Sequence, residues 1–188
     1  MMAGDPSGAG VSRRLSGVLV ECVVGDIARQ SGVDAVVNAA NAELRIGGGV
    51  AGAIHTAAGP DLEQACRPLA PIQPGQAVIT DAYGLPNRRV IHCLGPRYGI
   101  DEPVDQLLRA CYRAALDLAE ADQVGSIAFP AISTGAFGVP VSVAAPLAMD
   151  EVAGRVPSLA QVRRIRFVLF DRSALSTHAK ALDAVAPA

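Results

Sequence analysis

Apolar residues along this chain fall into short β-branched runs separated by longer stretches of helical spacing. Runs at 18–24, 34–38, 76–80, 89–94, 126–129 and 165–170 read as strands, most of them ending at Gly, Asp, Asn or Pro. The run at 126–129 is continuously apolar, which suits a central strand of a largely parallel sheet. A helix is predicted from Val50, with Ile54, Ala57 and Ala58 inward. It breaks near Gly59-Pro60 and resumes over 61–66. Pro103 opens the longest predicted helix, whose inward face carries Leu107, Leu108, Cys111, Tyr112, Ala115, Leu116, Leu118 and Ala119. Further helices are expected over 140–152 and 174–185, a loop over 68–75 and a turn over 84–87. Residues 1–14 are Gly/Ser/Ala-rich and unpatterned. They are expected to be a disordered or cloning-derived tail, leaving 15–188 as one domain.

Composition narrows the function classes. Half the 188 residues are apolar and aromatics are few, which suits a globular α/β chain with small-residue helix packing. A net charge of −2 with dispersed basic residues leaves no nucleic-acid footprint. No apolar run is long enough to span a bilayer and no leader pattern opens the chain, so a cytoplasmic, non-membrane and monomeric protein is expected. Cys22, Cys66, Cys93 and Cys111 lack paired or CxxC spacing, which argues against a disulfide framework or a zinc site. His55, His92 and His178 are far apart in sequence without ligand spacing, so no metal is expected. Cys93 beside His92 raises a nucleophilic pair, but neighbours on a strand face opposite sides. His55 on its helix reads as a packed or surface residue.

The chemistry gathers at predicted strand ends. After the run 34–38 come Asn38 and Asn41, then Gly47-Gly48-Gly49-Val50 opening a helix. Glycines feeding a helix N-terminus expose several N–H groups where the helix dipole favours an anion. A second such loop, Ser133-Thr134-Gly135-Ala136-Phe137-Gly138, follows the run 126–129. Its Phe137 either plugs the core or stacks on a ligand. Asp26 ends the first strand, as a cap for 27–30, as a ligand carboxylate, or as both. Phe170 supplies an aromatic wall at another strand end. Two anion-binding loops, a carboxylate and two rings describe a pocket for a nucleotide with a pyrophosphate.

These residues resemble the macrodomain family, and within it the bacterial O-acetyl-ADP-ribose deacetylases. The resemblance spans residues 18–182. It rests on Gly25-Asp26-Ile27, Val37-Asn38-Ala39-Ala40-Asn41, Gly47-Gly48-Gly49-Val50, Ile54-His55, Val90-Ile91-His92, Gly95-Pro96 and Pro130-Ala131-Ile132-Ser133-Thr134-Gly135. It implies a three-layer α/β/α sandwich with a mixed central sheet, and ADP-ribose or an ADP-ribosylated protein as partner, with no cofactor. On the same resemblance, Asp26 accepts from the adenine amino group beside the Ile27 N–H. Phe170 packs on the adenine and Asp171 lends its backbone. The Gly47, Gly48, Gly49, Val50 and Ala51 segment and the Ser133 to Gly138 loop clamp the phosphates. Asn41 bonds the distal ribose against Phe137, with Asn38 fixing the loop backbone. Asn41, Gly48 and Phe137 are then the catalytic set.

One departure stands out. The hydrolase branch carries Asp after Gly-Gly-Gly-Val, where it helps to activate water; here that residue is Ala51. Some viral and human macrodomains resemble this chain in having Ala there, and a substrate-assisted route is proposed for them. They often have His before the glycines, where this chain has Ile46. The sequence therefore implies either hydrolysis of ester-linked ADP-ribose by substrate-assisted water attack, or a non-catalytic ADP-ribose reader. A dinucleotide oxidoreductase is disfavoured, since no strand-borne GxGxxG is present.

Overall fold

In a computed structural model that describes residues 10–186, seven strands form one sheet in the order β1-β2-β7-β6-β3-β5-β4. The strands are β1 (Val11–Leu15), β2 (Val18–Val24), β3 (Ala35–Ala39), β4 (Ala77–Asp81), β5 (Arg89–Cys93), β6 (Ser126–Phe129) and β7 (Arg164–Leu169). The five strands from β2 to β5 in that order run parallel, and β1 and β4 close the edges antiparallel. The helices are α1 (Gly49–Ala58), α2 (Pro60–Cys66), α3 (Val104–Ala121), α4 (Val141–Arg155) and α5 (Arg172–Val185). The result is a three-layer α/β/α sandwich around a mixed sheet, as the family resemblance implies.

Strand periodicity divides the core into two apolar layers. Ala35, Val37, Ile91, Cys93, Ile127 and Phe129 face α3, α4 and α5. Val36, Val90 and Ala128 face α1 and α2, where Ile54, Ala58, Leu62 and Cys66 meet them. On α3 the buried stripe Leu108, Cys111, Tyr112, Ala115, Leu116 and Ala119 follows the helical period, and Tyr112 packs against Phe129 and Phe167. Among the described residues no helix is long and apolar enough to cross a membrane.

The expected tail is shorter than its composition implied. Residues 11–14 belong to β1, paired with β2 from Val11↔Cys22 to Leu15↔Val18. Ser16 and Gly17 join the two strands, both with positive φ (46° and 86°), the geometry that suits a two-residue hairpin between twisted strands. Only Leu15 of β1 is buried, so this edge strand carries almost no hydrophobic pattern. Residues 1–9 of the expected tail lie outside the described residues.

Candidate functional site

The parallel strands all release their C-terminal ends along one sheet edge, where open α/β sheets place their ligands. In spatial order this edge carries Asp26 after β2, Phe170 after β7, the 130–140 loop after β6, Asn41 and the glycine triplet after β3, and Gly95 after β5. At a spacing of roughly 4.8 Å per strand, the row from β2 to β3 spans about 14 Å.

A cleft of about 310 Å³ occupies the β6–β3–β5 part of the edge. The glycine-loop side contributes Asn41 and Gly47 to Ala51, and the facing loop contributes Ser133, Gly135, Ala136 and Phe137. Helix α1 begins here. Its N-cap is Gly48, which offers no side chain to the helix, and the first helical hydrogen bond inside the turn is Gly52 N–H to the Gly48 carbonyl at 3.3 Å. The N–H groups of Gly49, Val50 and Ala51 therefore lack partners within the helix. Together with the positive end of the helix dipole they make this wall of the cleft favourable to an anion. The opposite loop is held in shape by Val139 N–H to Ser133 O (2.9 Å) and Gly138 N–H to Gly135 O (3.0 Å). The Ser133 hydroxyl is buried without a partner.

Asn41 lines the cleft, and its amide also braces the loop that follows. Its Nδ2 donates to Arg45 O at 2.8 Å, and Arg45 N–H donates to its Oδ1 at 3.0 Å. One amide hydrogen and one lone pair remain for a ligand. Phe137 is half-buried against the α1-side core and also lines the cleft. Tyr98 N–H anchors this loop through Phe137 O at 2.8 Å.

Thr134 and Gly138 are not in the cleft lining; the Thr134 hydroxyl donates to Ala131 O at 2.8 Å. Asp26, Ile27, Phe170 and Asp171 sit apart from it, at the β2–β7 end of the same edge. The two strands end together there, with Val24↔Leu169 in register. Asp26 caps the 3-10 turn Ile27–Arg29, its Oδ1 accepting from Ala28 N–H at 2.9 Å, yet its side chain stays half exposed. Asp171 caps α5 through Ala174 N–H. Phe170 is 94% exposed, an aromatic ring in water beside a carboxylate.

Two expectations are corrected. Asn38 neither fixes the loop nor reaches the cleft. It lies opposite His92 in the β3–β5 register, is 1% exposed, and bonds the His92 Nδ1 through Nδ2 at 3.1 Å. The histidines are not all apart: His55 and His92 have ring centroids 6.3 Å apart, and Cys66 lies with them. The order of strands, which is invisible in sequence spacing, brings them together. Cys93 points the other way, into the α3-side core, and burial pushes its thiol pKa well up. It forms no nucleophilic pair with His92.

Sequence reasoning passed over Ala39, Ala40, Gly95, Ala131 and Ile132 as cleft residues. Gly95 carried a signal, since a glycine at a strand end marks a close approach. A Cβ there would lie 2.7 Å from Ile132 Cγ2 and collide with the Ser133 hydroxyl. Gly95→Ala is therefore expected to destabilise the fold by about 1–3 kcal/mol, read as a Tm lowered by several degrees. An unchanged Tm would show that the 130–140 loop yields freely.

A family model described as "Macro domain" matches residues 37–148. A macro domain-containing protein of Chlorobaculum tepidum is 44% identical over 168 residues, covering 89% of this chain and 97% of that protein. An O-acetyl-ADP-ribose deacetylase of Salmonella gallinarum is also 44% identical over 168 residues, covering 87% and 93%. Among solved structures, the Oceanobacillus iheyensis macrodomain with ADP superposes with a TM-score of 0.90 at 35% identity, covering 94% of this chain and 96% of that one. The Trypanosoma brucei macrodomain in complex with ADP-ribose gives 0.80 at 34% identity, covering 87% and 68%.

Proposed function

This chain belongs to the macrodomain family, and on that footing we propose that it binds ADP-ribose and hydrolyses ester-linked ADP-ribose, on acidic side chains or as O-acetyl-ADP-ribose. One observation carries the binding reading. A wet aromatic ring, Phe170, stands beside Asp26 on the same sheet edge as the anion site at the α1 N-terminus, about three strand spacings away. A purine stacked on so exposed a ring would cover it. The Asp26 carboxylate, half exposed with Oδ2 free of the cap, is then the acceptor for the exocyclic amine. The diphosphate meets the N–H groups of Gly49, Val50 and Ala51 and of the facing 133–138 loop. The distal ribose lies between Asn41 and Phe137.

For hydrolysis of an Asp- or Glu-linked ADP-ribose, water forms a bond to the anomeric carbon as the ester C–O bond breaks, and the acceptor carboxylate leaves; on O-acetyl-ADP-ribose, water adds to the acetyl carbonyl, acetate leaves and the ribose hydroxyl is restored. No side-chain base stands at Ala51, so a ligand phosphate oxygen orients the water and takes up its proton. The chain's own part is positioning: Asn41 and Phe137 hold the ribose and Gly48 leaves the backbone open to the phosphate. The same Ala51 favours a second reading, a module that binds ADP-ribose without turning it over.

The deciding experiment measures ADP-ribose binding by calorimetry and ADP-ribose release from a protein mono-ADP-ribosylated on glutamate. Binding with release supports the hydrolase. Binding without release, there and on O-acetyl-ADP-ribose, leaves the reader, and absence of binding overturns both. Phe170→Ala separates the adenine end from the fold. Losing one base-stacking contact, worth about 1–3 kcal/mol, should weaken ADP-ribose about tenfold or more while leaving Tm unchanged. Unaltered affinity would place the adenine elsewhere.

A further inference from the structure

Beneath the cleft, between the sheet and helices α1 and α2, three ligand-bearing side chains converge. His55 comes from α1, Cys66 from the end of α2 and His92 from β5, and one ligand atom of each lies within 4.8 Å of the other two. All three are buried, and none of them lines the cleft. The Cys66 Sγ to His92 Nε2 separation is 3.6 Å. A tetrahedral ion bound at about 2.0–2.3 Å sets its ligand atoms roughly 3.3–3.8 Å apart, so this pair is already at ligand spacing.

The hydrogen bonds around the trio leave two defects. The Thr80 hydroxyl donates to Asp81 O, so it accepts from His92 Nε2–H at 3.0 Å; Nδ1 then accepts from Asn38 Nδ2. This leaves Asn38 Oδ1 buried without a partner. The His55 ring makes no hydrogen bond among the described residues, and its Nε2 is likewise buried without a partner, in a residue only 4% exposed. A buried polar atom that lost its water and gained no partner is costly, so two such atoms in one small cluster call for a cause.

We propose that His55, Cys66 and His92 form a structural site for one borderline-soft divalent cation of the zinc class, tying α1 and α2 to β5. Binding draws on the His92 Nε2 lone pair, which moves the ring proton to Nδ1. The Asn38 amide turns over, and its orphaned Oδ1 accepts that proton's hydrogen bond. His55, the other orphan, spends its lone pair on the ion. Cys66 binds as thiolate and releases its proton to solvent. One cation therefore satisfies the His55 nitrogen, and Asn38 Oδ1 takes the part that carbonyls and amides play behind metal-bound imidazoles, with Nδ2 turned into the place that Oδ1 leaves. Thr80 keeps its bond to Asp81 O, with its hydroxyl beside the fourth position.

The electrostatics agree. Burial holds both imidazoles neutral with free lone pairs: it lowers the His55 pKa, and it lowers that of His92 to about 3. Burial also raises the Cys66 thiol to about 11, so without a cation the site holds no charge. Glu63, one turn before Cys66 on α2, acts on both His55 and Cys66 and offsets the residual positive charge of a thiolate-bound divalent ion. All three ligand side chains are buried and none lines the cleft, which suits a structural ion, with the Thr80 hydroxyl placed to close the four-coordinate shell that such sites use. The donor set of two imidazoles and one thiolate excludes the hard, oxygen-seeking cations.

Because the site is buried, the ion loads as the chain folds. The full chain is refolded with Co²⁺ as the probe, then exchanged with Zn²⁺. The expected result is one equivalent retained through dialysis, with a thiolate-to-cobalt charge-transfer band and visible bands of tetrahedral intensity. Zn²⁺ should abolish these bands and raise Tm. Cys66→Ser should lose the charge-transfer band, and His55→Gln should bind about tenfold or more weakly. X-ray absorption on the unaltered zinc-loaded chain should show one sulfur at about 2.3 Å and nitrogens at about 2.0–2.1 Å, a result that does not depend on any variant folding. No band and no retained metal in the unaltered chain would overturn the proposal. So would a sulfur-free shell, or a charge-transfer band that survives in Cys66→Ser.

Discussion

Ala51→Asp is expected to raise the rate of ADP-ribose release from a glutamate-linked substrate by about a hundredfold or more, since a positioned general base contributes roughly 10²–10⁴. Ala51 lies in the first turn of α1 and lines the cleft. A Cβ placed at Gly47 would lie 3.9 Å from the Ala51 Cβ and 3.4 Å from Asn41 Nδ2, so residues 41, 47 and 51 surround one spot. A carboxylate added there would face the position of the attacking water. The helix dipole favours a negative charge in the first turn, and the neighbouring free N–H groups can solvate it, so Tm should fall by only a few degrees. Single-turnover release with both proteins at saturating enzyme measures the effect. A rate left unchanged would mean that the missing base is not what limits this site, and would move the reading to a binding module.

Asn41→Ala is expected to lower release by about a hundredfold, the usual scale for a reacting group displaced by about 1 Å. Two losses combine. The ribose loses the remaining amide hydrogen and lone pair, and Arg45 loses both backbone hydrogen bonds to the side chain, at 2.8 and 3.0 Å. The segment between Asn41 and the glycine triplet then loosens, so affinity for ADP-ribose should also fall, by a smaller factor. Asn41→Asp separates the two contributions, because its carboxylate still accepts from Arg45 N–H but cannot donate to Arg45 O. It should bind better than Asn41→Ala while releasing ADP-ribose slowly. Full turnover in Asn41→Ala would remove Asn41 from the mechanism.

Much of the site was legible because its residues are local in sequence. Gly47 to Ala51 and Ser133 to Phe137 are each a strand end, a small-residue loop and a helix start, and each builds its own wall of the cleft. Asp26 as a cap and the interior face of α3 follow from spacing alone. Edge strand β1 was not legible: it is held by backbone pairing to β2 and buries only Leu15, so it has no period to detect. Gly95 was recognised as a strand terminator, but its closeness to Ile132 and Ser133 depends on β5 and β6 flanking β3.

By itself, then, the sequence determined six of the seven strands, the five helices and the two small-residue loops that wall the cleft. Each of these depends on the chemistry of consecutive or periodically spaced residues. Strand order belonged to the tertiary structure, because hydrogen bonding between strands is set by backbone groups that every residue shares. That order put Phe170 beside Asp26 and Asn38 opposite His92, and it brought His92 under Cys66 and His55. Residues far apart in the chain meet at these points through side-chain direction across the sheet, which no local pattern records.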